Sequence, residues 1–284
     1  MNRKLIALFF LCCISSSASA FDLDFGKIIG NIQKARLATT DFDEPKEIEL
    51  GSGIASNLLG AAPLLQNRRV QAYVNRVGMW LALQTERPGL PWRFGVLDDD
   101  DVNAFAAPGG HVFVTKGLLA QMHSEAELAG VLAHEIAHVL RKHHLAAIKK
   151  GARTELLAEF AGEAMENQGE NPALIKLIGA GTELYARGLD KDDEFEADRM
   201  GVVIATRAGY DPYGLPAVLQ TLQGMNPQDS SLALMFKTHP ALDERLGLLD
   251  RLMSGPFDSF ENQPDHAPRF MTVMSGSGIT TEPD

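Results

Sequence analysis

The residues best suited to chemistry are His134-Glu135-Ile136-Ala137-His138, in which two histidines and a glutamate stand at helical spacing. Side chains four residues apart lie on one face of an α-helix, so both imidazoles can reach the same metal ion. Glu135 is rotated from His134 by about 100°, which suits its carboxylate to accept a proton from water rather than to bind the metal. The spacing therefore predicts two zinc ligands, His134 and His138, with Glu135 as the general base.

A match of five residues can arise by chance, and the surrounding pattern argues against that. Ser124 and Glu127 form a capping box, which predicts that the helix starts near Glu125 and continues to about Lys150. Glu135 projects into the middle of an apolar stripe, where a carboxylate is costly unless it is paired or near a metal. The stripe follows the i, i+3, i+4, i+7 spacing of a buried helix face and consists of Leu128, Val131, Leu132, Ile136, Val139 and Leu140.

Catalytic zinc sites usually have three protein ligands and one open position, so a third ligand must be found. His144 stands where the H-E-x-x-H-x-x-G-x-x-H pattern has its third histidine, but Arg141 replaces the glycine that ends the helix in that pattern. A continuous helix would place His144 about 9 Å beyond His138 along the axis. The sequence therefore predicts that His143 and His144 face solvent.

Glu194 is the better candidate for the third ligand. Glu194 and Asp198 share a helix face with Gly201 and Ala205, whose small side chains would allow close approach to a neighbouring helix. Asp198, one turn beyond, is placed to accept the free N–H of a ligand histidine, whereas Glu196 is predicted to be solvated. The alternative is an acidic helix start that interacts only with the helix dipole.

The remaining pattern predicts an α+β fold that is mostly helical. Trp92–Leu97 and His111–Thr115 have strand patterns, and Asn103–Ala107 is short and extended, so we expect a small antiparallel sheet beside the active-site helix. If Asn103–Ala107 is an edge strand, it can pair with an extended substrate, which makes Asn103, Ala104 and Phe105 candidate substrate contacts. A purely structural role for this strand is an equal alternative.

The N-terminus is typical of a secretory signal peptide. Arg3 and Lys4 precede an apolar run, and Ala18-Ser19-Ala20 forms a cleavage site, so we expect residues 1–20 to be removed and the chain to be exported to the periplasm. An uncleaved anchor is the alternative. Cys12 and Cys13 are the only cysteines and lie in this segment, so the mature chain is predicted to have no disulfides.

Charge and hydropathy limit the partners of the mature chain. The net charge of the 284 residues is −11, and loss of Arg3 and Lys4 with the signal peptide makes it −13. Such a charge argues against nucleic acid or anionic lipid as a main partner. No later stretch approaches the roughly 20 apolar residues of a membrane span.

The motifs and the helix and strand patterns divide the mature chain into three parts. We predict a lead-in at 21–46, a metallopeptidase domain at 47–254 and an irregular tail at 255–284.

The order of these motifs resembles that of the HtpX/BepA-like zinc metallopeptidases, relatives of the CAAX prenyl proteases. In that family H-E-x-x-H is followed by E-x-x-x-D on a later helix. The resemblance covers roughly residues 47–253 and rests on Asn103-Ala104-Phe105-Ala106-Ala107-Pro108-Gly109-Gly110, His134–His138, Glu194–Asp198 with Arg199-Met200-Gly201, Ala208-Gly209-Tyr210-Asp211-Pro212, and Thr238-His239-Pro240 with Arg245.

The resemblance implies a zincin-type fold in which His134, His138 and Glu194 bind one zinc ion per chain and Glu135 is the general base. It also implies that His239 lies near the metal, where it either stabilises the reaction intermediate or occupies the open position in a latent form, with Arg245 as its companion. From the residues alone, His239 before a proline is more typical of a turn.

The activity that the resemblance implies is a metalloendopeptidase acting on exported, unfolded or misassembled envelope proteins in protein quality control. The outer-membrane assembly machinery is then an expected partner. The transmembrane helices and the C-terminal helical repeats of some relatives are not expected here. The competing hypothesis is a periplasmic chaperone or assembly factor that keeps the metal-bound fold with little proteolysis.

Overall fold

The computed structural model describes residues 42–159, 188–277 and 279. The predicted signal peptide, residues 21–41 of the predicted lead-in, residues 160–187 of the predicted metallopeptidase domain, and residues 278 and 280–284 of the predicted tail lie outside the described residues. Within the described part, the chain forms ten α-helices and three strands, in agreement with the predicted α+β class. The elements are α1 (Glu44–Ala61), α2 (Arg68–Ala82), β1 (Arg93–Leu97), β2 (Ala104–Ala107), β3 (His111–Thr115), α3 (Lys116–Ala120), α4 (Glu125–Leu140), α5 (His143–Glu159), α6 (Lys191–Arg207), α7 (Gly214–Gly224), α8 (Ala233–Thr238), α9 (Leu242–Met253) and α10 (Ala267–Met274).

The three-stranded sheet is mixed, with the order β1-β3-β2, and the prediction of a wholly antiparallel sheet was wrong. β2 and β3 form an antiparallel hairpin through Pro108-Gly109-Gly110, in which both glycines have positive φ. β3, rather than β2, pairs with β1, and these two strands run parallel. The strand patterns locate each strand, but the connection from β1 to β2 decides which strand occupies the middle of the sheet.

Helix α4 is the centre of the structure, since all of its 16 residues are buried. Two glycines allow neighbouring helices to approach it closely. A Cβ added at Gly130 would lie 2.6 Å from the backbone nitrogen of Leu215 on α7, and one at Gly201 would lie 2.9 Å from that of His134. The predicted small-residue face of α6 therefore does pack closely against the H-E-x-x-H helix.

The Ser124 cap at the start of α4 is confirmed, whereas the reciprocal bond of the predicted capping box goes to His123 instead of Ser124. The Oγ of Ser124 accepts a hydrogen bond from the backbone N–H of Glu127 at 3.1 Å, and the Glu127 carboxylate accepts one from the backbone N–H of His123 at 2.8 Å. These bonds satisfy N–H groups that have no partner inside the helix.

The predicted end of this helix was wrong, because α4 stops at Leu140 instead of continuing to Lys150. Lys142 has a φ of 59°, a left-handed conformation that costs a non-glycine residue roughly 1–2 kcal/mol. Its Nζ lies 3.1 Å from an oxygen of Glu47, which is buried on α1 and also bonds Arg87. This ion pair offsets the cost of the turn, and α5 then starts at His143. No glycine marks the turn in the sequence.

The segment predicted to be an irregular tail contains α10. Phe270 is fully buried, and its ring centroid lies 6.4 Å from that of Tyr73 on α2. The buried residues Phe270, Val273 and Met274 stand at i, i+3 and i+4 and so span little more than one turn. A stripe that short is too brief to predict a helix from periodicity.

A buried carboxylate joins α10 to the start of α4. Glu125 accepts hydrogen bonds from the hydroxyls of Tyr73 at 2.6 Å and Tyr210 at 2.8 Å, and Arg269 donates two more. Burial opposes ionisation of this carboxyl, but the bonds from Arg269 and the two tyrosines hold its pKa below the usual range.

We expect Glu125→Gln to destabilise the protein by about 1.5–3 kcal/mol at neutral pH, because it removes the charge that Arg269 binds and keeps the side-chain size. A depressed folded-state pKa stabilises the protein above the unfolded pKa of roughly 4.3, and this stabilisation disappears as the pH falls through the folded pKa. Urea unfolding of both proteins from about pH 7 down to about pH 3.5 should therefore show a shrinking difference.

Glu49→Gln is the control, since Glu49 is exposed on α1, and its effect should stay within about 0.5 kcal/mol. A difference between Glu125→Gln and the wild type that does not change with pH would show that the charge is not what stabilises this contact.

Among the described helices, none is both long enough and apolar enough to cross a bilayer.

Candidate metal centre

Four side chains converge in the interior between α4 and α6. One potential ligand atom from each of His134, His138, Glu194 and His239 lies within 4.8 Å of those of the other three. The Nε2 atoms of His134 and His138 are 3.0 Å apart. Nε2 of His134 lies 3.6 Å from Oε2 of Glu194, and Nε2 of His138 lies 3.4 Å from Oε1 of Glu194. Of these four side chains, only that of His239 has notable exposure, at 14%.

Each member of the cluster is placed by its element. His134 and His138 are one turn apart on α4, and Glu194 lies near the start of α6, which approaches α4 closely at Gly201. His239 follows α8 directly, so it is a turn residue as its position before Pro240 predicts. The turn nonetheless directs its ring inward, and its Nδ1 lies 3.0 Å from Oε2 of Glu194.

The chemistry of this set fits a divalent cation. Among the described residues, the Glu194 Oε1 and Glu135 Oε2 atoms are buried and accept no hydrogen bond. Buried carboxylate oxygens without partners are costly, and a metal ion would satisfy them. Two imidazole nitrogens with one carboxylate oxygen are the ligand set of several catalytic zinc sites. His144 is not part of this set, although its ring centroid lies 5.5 Å from that of His138.

The two α4 histidines have opposite pKa shifts. Burial lowers the pKa of His138 to about 3, so this imidazole is neutral and has a lone pair available at neutral pH. Burial also opposes protonation of His134, but the carboxylates of Asp198 and Glu194 outweigh it and raise the pKa to about 9. A cation in the cluster would take the place of that proton, as metal ligands must be deprotonated.

Asp198 and Arg245 form a buried ion pair behind the cluster. Arg245 donates two hydrogen bonds of 2.7 Å to Asp198, and its Nη1 lies 3.0 Å from Oε2 of Glu194. Asp198 in turn lies 2.9 Å from Nδ1 of His134. Although burial opposes it, Arg245 lowers the pKa of Asp198 to about 2, so this carboxylate stays ionised and can orient His134.

Glu135 lies at the edge of the cluster rather than in it. Its Oε1 is 3.9 Å from Nε2 of His239, and its side chain is almost fully buried. Burial raises the pKa of Glu135 above the usual range, despite the opposing histidines. A carboxylate with a raised pKa beside a metal position has the properties of a general base.

A small cleft, with room for about one water molecule, lies beside Glu135 and His239. Ala104 and Phe105 of β2 line it, together with Gly188, Leu189, Thr238 and His144. Asn103 is fully buried, and its Oδ1 accepts a hydrogen bond of 2.9 Å from the backbone N–H of Ala104. The structure therefore places Ala104 and Phe105 at the cleft, and it places Asn103 where it fixes the start of the strand.

The prediction that His143 and His144 face solvent was wrong, since both are buried. The turn at Lys142 ends α4 and changes the direction of the chain, so that Nδ1 of His143 lies 2.9 Å from Nδ1 of His138. Glu196, predicted to be solvated, is partly buried and bonds Arg141 and His143. The only signal for this arrangement in the sequence was the interruption of the apolar stripe by Arg141 and Lys142.

Comparison with known proteins places these residues in a family. The model of peptidase family M48 matches residues 65–253, about two thirds of the chain. The chain belongs to peptidase family M48. It is 30% identical over 206 residues to the beta-barrel assembly-enhancing protease of Escherichia coli (strain K12), covering 71% of this chain and 42% of that protein. The resemblance to the HtpX/BepA-like peptidases is thereby confirmed.

Two other relatives cover less of the chain. Mitochondrial metalloendopeptidase OMA1 of Schizosaccharomyces pombe is 29% identical over 61% of this chain and 50% of its own length. A protease HtpX homolog of Ralstonia nicotianae is 33% identical over 57% of this chain and 68% of its own length. The part of the chain that matches the beta-barrel assembly-enhancing protease of Escherichia coli spans less than half of the length of that protein.

The M48 match contains every residue that the structure brings together at the cluster. The sequence motifs identified most of them, and the structure adds three that the sequence assigned to solvent: His143 and Glu196 near His138, and His144 in the lining of the cleft. The residues predicted from the sequence that meet here are His134, Glu135, His138, Glu194, Asp198, His239 and Arg245.

Proposed function

We propose that this M48 chain is a zinc-dependent metalloendopeptidase. The observation that supports this most directly is the convergence of His134, His138 and Glu194 beside the buried carboxylate of Glu135. A protein that only binds polypeptides has no need for a buried base next to a metal-binding cluster, which is why hydrolysis is favoured over a chaperone role.

In this proposal His134, His138 and Glu194 hold one zinc ion per chain. When bound, zinc acts as a Lewis acid, which polarises a carbonyl and lowers the pKa of water to near 7. Asp198 holds the ring of His134 through its Nδ1 and is itself held by Arg245, so the ligand geometry is fixed before metal arrives.

Glu135 moves the protons of the reaction. Its carboxylate takes a proton from the attacking water and later gives it to the amine that leaves. The raised pKa of Glu135 favours the first step, because a more basic carboxylate accepts the proton of water more readily and holds it until the amine leaves. His239 lies 3.9 Å from Glu135 and borders the same cleft, where it can stabilise the reaction intermediate.

His239 also has a position suited to latency. Its ring contacts Glu194 and lies 5.6 Å from the ring of His134, so one of its nitrogens can occupy the open metal position. In that arrangement a substrate must displace His239 from the cluster before it can be cleaved, with Arg245 then remaining as the cation next to Glu194.

The substrates proposed are extended polypeptides. Ala104 and Phe105 line the small cleft beside Glu135, and β2 is the edge strand of the described sheet. Since all four residues of β2 are buried, an extended backbone can pair with this strand only after the groups that cover it move. Asn103 supports this contact through its hydrogen bond to Ala104. Folded proteins would present no such segment, so unfolded or misassembled chains are favoured.

The proposed setting is protein quality control in the periplasm, after removal of residues 1–20. The net charge disfavours nucleic acid as a partner. One relative is named a beta-barrel assembly-enhancing protease, which supports the outer-membrane assembly machinery as a partner and its misassembled substrates as targets.

The test combines metal analysis with cleavage of an unfolded polypeptide such as casein. We expect one zinc per chain, cleavage that a chelator stops, and recovery when zinc is returned. If the zinc-loaded wild type is inactive, His239→Ala should release the activity, which would establish latency. Cleavage that persists in the metal-free protein would refute the proposal, as would a wild-type protein that binds no zinc.

A further inference from the structure

The proposed ligand His138 has an imidazole neighbour that the zinc chemistry described above does not use. His143 begins α5 and is buried, with 5% of its surface exposed. Its Nδ1 lies 2.9 Å from Nδ1 of His138, whereas Nε2 of His138 faces His134 and Glu194. The two nitrogens of His138 therefore point at different groups, one at the metal-binding cluster and one at His143.

The contact fixes the proton positions if Nε2 of His138 binds a metal. A neutral imidazole has one N–H and one lone pair, so a ring that ligates through Nε2 carries its proton on Nδ1. That N–H donates to Nδ1 of His143, which must then be an acceptor. His143 consequently carries its own proton on Nε2.

The surroundings of His143 match that tautomer. Its Nε2 lies 3.3 Å from Oε2 of Glu196 and 3.6 Å from Oδ1 of Asp193, both acceptors. Glu196 is held in turn by Arg141, the residue that caps α4. In this tautomer the Nε2–H of His143 donates to the carboxylates, and the Nδ1–H of His138 donates to Nδ1 of His143. Every contact therefore joins a donor to an acceptor.

We propose that His143 is a positioning residue that fixes the tautomer and ring orientation of His138 for metal binding, with Glu196 and Asp193 fixing His143. This inference rests on the proposed metal site. The two histidines of the H-E-x-x-H motif are then positioned by different groups. Nδ1 of His134 faces the carboxylate of Asp198, and Nδ1 of His138 faces the imidazole of His143. The turn at Lys142 is what brings His143 into contact, because a continuous helix would carry it past His138.

The experiment compares the zinc affinity of the wild type, His143→Leu and His143→Asn by competition with a chelator. Leucine fills the space but accepts no hydrogen bond, so we expect a loss of about 10- to 100-fold. Asparagine places an oxygen near the position of Nδ1, so its loss should be under about 10-fold. Urea unfolding of the metal-free proteins separates loss of affinity from loss of fold.

Two further measurements decide the question if His143→Leu does not fold. Glu196→Leu, which removes an acceptor of His143, should weaken zinc binding, while Asp192→Leu, an exposed change on the same helix, should not. Long-range 1H–15N spectra of the zinc-loaded wild type should show His143 neutral with its proton on Nε2. A proton on Nδ1 of His143 would overturn the inference.

The other outcomes are also decisive. Equal affinities for His143→Leu and the wild type, or equal losses for the leucine and asparagine variants, would overturn the positioning role and leave the proposed function standing. A wild-type protein that binds no zinc would overturn the proposed function and this inference together.

Discussion

Glu135→Gln is expected to retain bound zinc and to lose peptide hydrolysis by roughly 10²- to 10⁴-fold in kcat. The amide has the size of the carboxylate but cannot accept a proton, and Glu135 lies beside the cluster rather than among its converging atoms. Metal analysis and cleavage of casein, both on wild type and variant, measure the two effects separately.

Glu135→Asp is the matched control for the chemistry, because it restores a carboxylate and shortens the side chain by one methylene. It should recover part of the activity that the glutamine variant loses. Loss of zinc from Glu135→Gln would instead identify this carboxylate as part of the metal site, and undiminished hydrolysis would remove it from the reaction.

Glu194→Ala is expected to lower zinc affinity by more than the 100-fold or so that loss of an outer partner can cost. The alanine removes the carboxylate from the converging ligand atoms and leaves the imidazoles of His134, His138 and His239. Competition with a chelator measures the affinity, and unfolding of the metal-free protein shows whether Arg245 still has a sufficient partner in Asp198.

Asp192→Ala is the control for this second change, since Asp192 is an exposed carboxylate in the first turn of α6, close to Glu194 in the chain. Its zinc affinity should equal that of the wild type. An unchanged affinity in Glu194→Ala would exclude the Glu194 carboxylate as a ligand and direct attention to His144 or Asp193.

Much of the site could be predicted because pairs of its residues are separated by one helical turn. The separation of His134 from His138, and of Glu194 from Asp198, fixes which side chains share a helix face. Gly201 on the second face predicted the close approach that the structure contains. Such relations hold within one element and need no knowledge of the rest of the chain.

The position of His239 could not be obtained in that way. Its residue type and its place before Pro240 are typical of a turn, and it is one. Its contact with Glu194 joins residues 45 positions apart, and the packing of α9 against α6 brings them together. The resemblance to a family supplied that contact before the structure did.

The sequence by itself determined the helices that bear the H-E-x-x-H and E-x-x-x-D motifs, the capped start of the first, the positions of the three strands and the family. Each depends on neighbours within a few residues. The tertiary structure decided the strand order, the end of α4 and the burial of His143. The turn at Lys142 is accompanied by an ion pair with Glu47, far earlier in the chain, and by the contact of His143 with His138. Interactions between distant residues outweigh local helix preference there, and local spacing contains no record of them.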